Sequence, residues 1–361
     1  MDPFAITRRG AMQGLGGTAL AFSLAGCGEG DSLTFANWES YLGETTLDDF
    51  KQASGIDVSL SVIASEDALF KQMRTGASVP DVLIASNRMT ERLVAAHLLA
   101  PLSHARLPSL RNLDPRFADP PYDRGLKYSV PYTWQTYGIG YRKSKVAVPP
   151  TGWQDLFDNP AFAGRFALPA DPPELFGIMA RTVGKAPRDI DPDDVPLLTK
   201  LLQEQLPRIK AFHSDDGQDL LLNKAVDLVA EFNGDMAQVM LEDSDLGFVM
   251  PADGSELTCD GLCVPAHAGN AGNAHKFIDY LLQSQAGMRV LSTILYPTPN
   301  LAAKALMPAA YQTSAVLFPA PDLIAKCAFA RWDPELDAAI TAAATPFTNR
   351  GTLPDKSPSA S

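Results

Sequence analysis

The chain has 361 residues, 46% of them hydrophobic, and a formal net charge of −12 at neutral pH. That length exceeds what one hydrophobic core usually serves, so two domains are expected. The acidic balance argues against nucleic acid and anionic lipid as partners, and is compatible with a cationic ligand.

Residues 1–27 read as an export signal. Arg8-Arg9 makes a basic head, the run from Gly10 to Gly26 carries no charge, and it closes on Leu24-Ala25-Gly26-Cys27. A spanning helix needs about 20 apolar residues, more than this run supplies, and no later stretch reaches that length. The ending looks like the lipobox of bacterial lipoproteins, with Cys27 as the lipidated residue; the alternative is an ordinary cleaved signal. Arg8-Arg9 is a twin-arginine pair, although two arginines also make a generic basic head, and a periplasmic location is expected.

Beyond it, residues 32–36 read as a buried strand ending at Asn37-Trp38. A helix follows with Thr45 or Thr46 as its cap, Leu47 and Phe50 at helical spacing and Gly55 as its stop. Residues 56–62 alternate as a strand, 66–74 form a helix stopped by Gly76, 81–85 are a central strand, and a helix starts near Met89. This β-α-β-α-β order predicts a mostly parallel sheet with helices on both faces. In such sheets ligands collect at the carboxyl ends of strands, so the turns at 37–41 and 86–88 should face a site. A connecting strand is expected at 136–141. A second α/β unit follows, with helices from Trp153, over 174–183 and over 193–206, and strands at 165–169 and 225–232. A strand at 256–265, helices at 275–282 and 285–291, and a disordered tail over 349–361 complete the reading.

Cys259, Cys263 and Cys327 cannot all pair within one chain. On one strand, Cys259 and Cys263 would lie about 13 Å apart, too far for a bridge. The five histidines are scattered and no zinc spacing occurs, so no metal site is expected. Neither a Gly-x-Ser-x-Gly elbow, a His-Glu-x-x-His pair nor a dinucleotide glycine fingerprint is present, so no cofactor and no catalytic centre are expected.

Five segments carry a resemblance. They are Asn37-Trp38-Glu39-Ser40-Tyr41, Val130-Pro131-Tyr132-Thr133-Trp134, Phe232-Asn233-Gly234-Asp235, the run from Cys259 to Pro265, and Tyr296-Pro297-Thr298-Pro299-Asn300. In this order the chain resembles the spermidine/putrescine-binding receptors of polyamine ABC transporters, from about residue 32 to 350. The resemblance implies an α/β, two-lobed type II periplasmic binding-protein fold with its ligand cleft between lobes. Lobe 1 would comprise 32–137 with 259–304, and lobe 2 would comprise 138–258 with 305–348. It further implies a monomeric receptor, not an enzyme, that delivers a polyamine to a membrane permease and touches the membrane only through a lipid anchor. A receptor for another cationic or amino compound, and an exported enzyme, are the alternatives.

A polyamine carries ammonium groups with a reference pKa near that of lysine, about 10.4. Carboxylates must replace their lost hydration, and aromatic faces suit both the methylenes and the charges. By resemblance, Trp38 and Tyr41 wall the first lobe, Asp171 and Glu174 hold one terminal ammonium, and Asp260 takes another. Asp235 matches the acidic position of the putrescine-preferring branch, Phe232 and Tyr296 are further walls, and Ser86 is a polar edge contact. Each has a plainer role. Asp171-Pro172-Pro173-Glu174 is also a capping box, and the four aromatic residues could be core. The chain departs from spermidine-preferring relatives by placing Phe232 and Thr258 where they carry tryptophan. Asn87 and Arg88 stand where they carry tyrosine, and an arginine in the cleft would repel an ammonium. Their glutamine near the end is absent, with Phe329 to Arg331 in that neighbourhood.

Overall fold

The computed structural model describes residues 32–214 and 216–348. The export segment with Cys27 and the tail over 349–361 lie outside the described residues. The strands are β1 (Ser32–Asn37), β2 (Asp57–Val62), β3 (Val82–Ser86), β4 (Ser129–Arg142), β5 (Phe166–Pro169), β6 (Ile209–His213), β7 (Leu228–Phe232), β8 (Leu246–Val249), β9 (Glu256–Cys263) and β10 (Ala328–Phe329). Between the first three lie α1 (Thr46–Ser54) and α2 (Glu66–Thr75), with α3 (Asn87–Ala95) after them. The second half holds α4 (Trp153–Asp158), α5 (Pro172–Thr182), α6 (Val195–Gln205), α7 (Gly217–Leu222) and α8 (Asn233–Glu242). Then come α9 (Ala271–Leu282), α10 (Ser284–Ile294), three single turns α11 (Leu301–Lys304), α12 (Ala309–Gln312) and α13 (Pro321–Ile324), and the terminal α14 (Pro334–Thr348).

The opening β-α-β-α-β unit forms as its pattern dictates. Gly55 and Gly76 end α1 and α2 in the left-handed region, at φ 75° and 67°, where a side chain would be strained. β1 pairs in parallel with β2 and β3. The sheet runs β2-β1-β3-β9-β4-β7-β5-β6, with β10 beside β9 and β8 beside β4. β9 is antiparallel to both β3 and β4, and β5 is parallel to β6 and β7.

Two large cores give the molecule its two lobes. The first gathers Phe35, Phe50, Leu83, Ile84 and Val130 with Phe277, whose ring meets Phe35 and Phe50 edge-on at 5.2 and 5.0 Å. The second gathers Trp153, Phe157, Phe166 and Phe176, and α14 adds Leu336, Ile340 and Phe347 to it. Smaller clusters join Leu291 to Met307 and Leu317, and Phe117 to Trp134 and Leu257.

β4 is a long strand that joins the two halves of the sheet. Its first half pairs with β9 and its second half with β7 and β8. The sequence suggests only 136–141 because Pro131 interrupts the pattern; a register shift between Pro131 and Thr133 absorbs the proline, which has no N–H to give. β6, α7, α8, β8 and α14 also escape the pattern. The α8 helix begins at the residue after β7 with no loop and no side-chain cap, and α14 carries Pro346 in its last turns. Cys259, Cys263 and Cys327 are free thiols.

Candidate functional site

The site is built on the carboxyl ends of β1 and β3 and on one face of the β4–β9 ladder. After β1, buried Asn37 donates to the Tyr41 carbonyl at 3.1 Å, and the Tyr132 hydroxyl donates to the same oxygen at 3.1 Å. The tied turn delivers the Tyr41 ring inward, while Trp38 stays half-buried against the first core. Ser86 closes β3 opposite Asp260 of β9, and Asp260 stands opposite Thr133 of β4. The Tyr41 hydroxyl joins this row, 2.8 Å from Asp260 Oδ2 and 2.5 Å from Thr133 Oγ1. Burial and the Asp260 charge hold the Tyr41 pKa well above its ordinary value, so the phenol stays protonated and donates to the carboxylate. Ser86 Oγ accepts from the Met89 N–H and caps α3, and the Ser86 N–H donates to Glu66 Oε1 at 3.0 Å.

The second lobe contributes two further carboxylates, each paired with a phenol. Tyr137, four residues beyond Thr133 on β4, donates to Glu174 Oε2 at 2.6 Å. Burial and Glu174 push its pKa well up. Phe232 packs on the Tyr137 ring with centroids 4.0 Å apart. On α8, Asp235 accepts from the Tyr296 hydroxyl. The Tyr296 ring meets Tyr41 edge-on at 5.4 Å and lies flush on Gly234, where a Cβ would come within 2.3 Å of it. Tyr296 therefore spans from the first lobe to the second.

The capping question for Asp171 and Glu174 resolves into two jobs. Asp171 caps α5, its side chain accepting from the Glu174 N–H at 3.4 Å. Glu174 turns its carboxylate to Tyr137 instead of closing the box. Trp38, Tyr41, Ser86, Asp260 and Tyr296 thus lie at the first lobe's edge, and Glu174, Phe232, Asp235 and Asp171 at the second's.

The two residues that mark the departure at the end of β3 behave differently from each other. Asn87 is structural: it donates to the Ala330 carbonyl at 2.9 Å and accepts from the Cys259 N–H at 3.2 Å. Arg88 reaches Asp337 of α14 at 2.7 Å, an ion pair between the lobes with the guanidinium side chain 18% exposed. Burial pulls the Arg88 pKa down, but Asp337, Asp171, Glu256 and Glu66 together outweigh it and raise the value. Arg88 is therefore a neutralised cation and not a bare repulsive charge.

Thr133, Gln135, Tyr137, Glu66 and Glu256 join the candidate site without a sequence-based expectation for them. The signal for Glu256 was in view: Glu256-x-Thr258-x-Asp260 alternates polar residues along an otherwise apolar strand, which aligns them on one face. Among the described residues no group of three or more His, Cys, Asp or Glu side chains is placed to hold a metal. No helix among them is long and apolar enough to cross a membrane.

Comparison with known proteins agrees with this architecture. Residues 45–320 match the profile of the bacterial extracellular solute-binding proteins. The chain is 30% identical over 298 residues to the spermidine/putrescine-binding periplasmic protein of Salmonella typhimurium, covering 81% of this chain and 84% of that one. It is 29% identical over 302 residues to a putrescine-binding periplasmic protein of Escherichia coli, covering 78% and 81%. A spermidine/putrescine ABC transporter substrate-binding protein from Streptococcus pneumoniae superposes with a TM-score of 0.80 at 25% identity, over 88% of this chain and 98% of that one. A two-lobed receptor with a cleft between its lobes, the chain belongs to the bacterial extracellular solute-binding protein family.

Proposed function

We propose that the cleft captures a polyamine and that lobe closure presents the loaded receptor to an ABC permease. The observation that carries the reading is the convergence of Asp260, Glu174 and Asp235 from both lobes, each receiving a tyrosine hydroxyl, beside the rings of Tyr41, Tyr296 and Phe232. A phenol donor keeps a buried carboxylate ionised and oriented, which is what an ammonium requires. Trp38, Ser86 and Asp171 complete the contact set. The relatives named for spermidine and putrescine support this ligand class. The chain would cross between lobes within β4 and β9, and α14 would return to the second lobe. Cys27 would carry the lipid anchor, holding a monomeric receptor at the periplasmic face of the inner membrane. Affinity in the micromolar range, about −8 kcal/mol, is the natural scale after the cost of closure.

Trp38 offers the test. Spermidine or putrescine should shift tryptophan fluorescence with one-to-one saturation, and Trp38→Phe should remove most of the signal change. A wild-type protein whose fluorescence and heat are both unmoved by either amine would sink the reading.

A further inference from the structure

One face of the β4–β9 ladder carries polar side chains, and the register orders them. Thr133 faces Asp260, and Gln135 faces Thr258. Glu256 comes next along β9, on the same side as Thr258 and Asp260. Trp134 and Leu257 point the other way into a separate apolar cluster. The floor therefore carries an acid at each end, Asp260 and Glu256, with an amide between.

Two atoms on this floor stand out. Gln135 Oε1 and Glu256 Oε2 are buried acceptors with no hydrogen-bond partner among the described residues, on residues that are each only 8% exposed. Leaving such an acceptor unmet costs about 1–3 kcal/mol, and more for a charge. Helix α5 covers this end of the floor: Glu174 reaches Tyr137, and one turn on, Gly177 lies over Glu256. A Cβ at residue 177 would come within 3.1 Å of Glu256 Oε2, so the glycine leaves that carboxylate its room. Arg88 stands nearby, but Asp337 of α14 holds its guanidinium at 2.7 Å.

We propose that Gln135 and Glu256 form the distal ammonium subsite of the cleft, opposite Asp260, and that the floor between them is a gauge for short diamines. This rests on the polyamine reading above and deepens it. Four residues of strand separate Asp260 from Glu256, about 13 Å. A four-carbon diamine holds its nitrogens about 6 Å apart, and a charge-assisted contact of about 2.8 Å at each end brings the span to about 12 Å. Gln135 Oε1 accepts a second N–H from the ammonium at the Glu256 end. A triamine of spermidine length overruns this span by about 5 Å. Burial, Arg88 and Asp171 set the Glu256 pKa at about 7, so an arriving ammonium converts the carboxyl to its charged form.

The test is calorimetry or competition binding of putrescine, spermidine and butylamine to the whole protein, to Glu256→Gln and to Gln135→Leu. Wild type should bind putrescine more tightly than spermidine, and more tightly than butylamine by tenfold or more. Glu256→Gln should lose about tenfold or more for putrescine while leaving butylamine binding unchanged. Gln135→Leu should lose a smaller factor in the same diamine-selective manner. A variant that weakens butylamine and putrescine equally, or neither, overturns the subsite. So does a wild type that binds spermidine as tightly as putrescine, even if a variant fails to fold. If no amine binds any of the three proteins, the polyamine reading itself falls and takes the subsite with it.

Discussion

The Tyr41 hydroxyl lies 2.8 Å from Asp260 Oδ2, across the sheet from the turn after β1 to the middle of β9. The bond joins residues 219 positions apart, and it fixes the direction in which the carboxylate points. Tyr41→Phe removes the donor while keeping the ring against Tyr132 and Tyr296. A hydrogen bond to a charged group contributes about 1.5–3 kcal/mol. The variant should therefore bind putrescine about tenfold or more weakly, and Asp260→Asn should lose a similar amount. Calorimetry on both, with folding checked by circular dichroism, is the measurement; unaltered affinity in folded Asp260→Asn would remove that residue from the site.

Closure can be tested at Gly234. Its Cα lies under the Tyr296 ring, and a methyl there would overlap ring carbons at 2.3 Å. Overpacking of this kind costs about 1–3 kcal/mol. Because the contact joins the two lobes, Gly234→Ala should open them. Small-angle scattering should show a larger radius for the liganded variant than for liganded wild type, and affinity should fall. An equally compact liganded variant would show that the ring does not gate closure.

The Arg88–Asp337 pair ties α3 to the C-terminal helix with both side chains largely screened from water, 18% and 27% exposed. Removing one partner of such a pair strands the other, and its partial exposure places the cost at about 1–2 kcal/mol, below that of a fully buried pair. Asp337→Asn should lower the denaturation midpoint with an unchanged slope. No shift in midpoint would mean the pair is solvated and contributes nothing.

Glu256 gives the protein a pH dependence of unusual sign. Its folded pKa of about 7 lies above the ordinary carboxylate value because burial outweighs the pull of Arg88 and Arg181, and Asp171 adds to the rise. Between the unfolded and folded pKa values the native state holds the extra proton, so stability from this group is present at low pH and is lost as pH rises towards 7. The drop is roughly 2–3 kcal/mol. Denaturation at pH 5 and pH 8 should show it in wild type and not in Glu256→Gln. Amine affinity should move the opposite way, rising from pH 6 to pH 8 as Glu256 ionises. A flat stability difference between the two proteins across this range would contradict the assignment.

Much of the candidate site is legible in the sequence, and the remainder is hidden for identifiable reasons. Trp38, Tyr41 and Ser86 sit where strands end, and strand ends are written in local patterns such as Leu33-Thr34-Phe35-Ala36-Asn37. Glu174 reads in the sequence as a cap or a contact, and its hydrogen bond to Tyr137 comes only with the fold. Arg88 looked repulsive because Asp337 lies 249 positions away, a pairing that no local rule encodes. Gln135 and Glu256 sit outside the motifs that carry the resemblance, and their meaning comes from the β4–β9 register. The α14 helix is hidden for a compositional reason: alanines with a proline near the end carry little amphipathic signal, although the helix completes the second core.

Isothermal calorimetry of putrescine and spermidine into the purified protein at neutral pH tests the central claim most directly. Carboxylates converging from two lobes on an aromatic cleft predict saturable one-to-one heat with a micromolar dissociation constant. A folded protein giving no heat with either amine, at concentrations far above that range, would contradict the account.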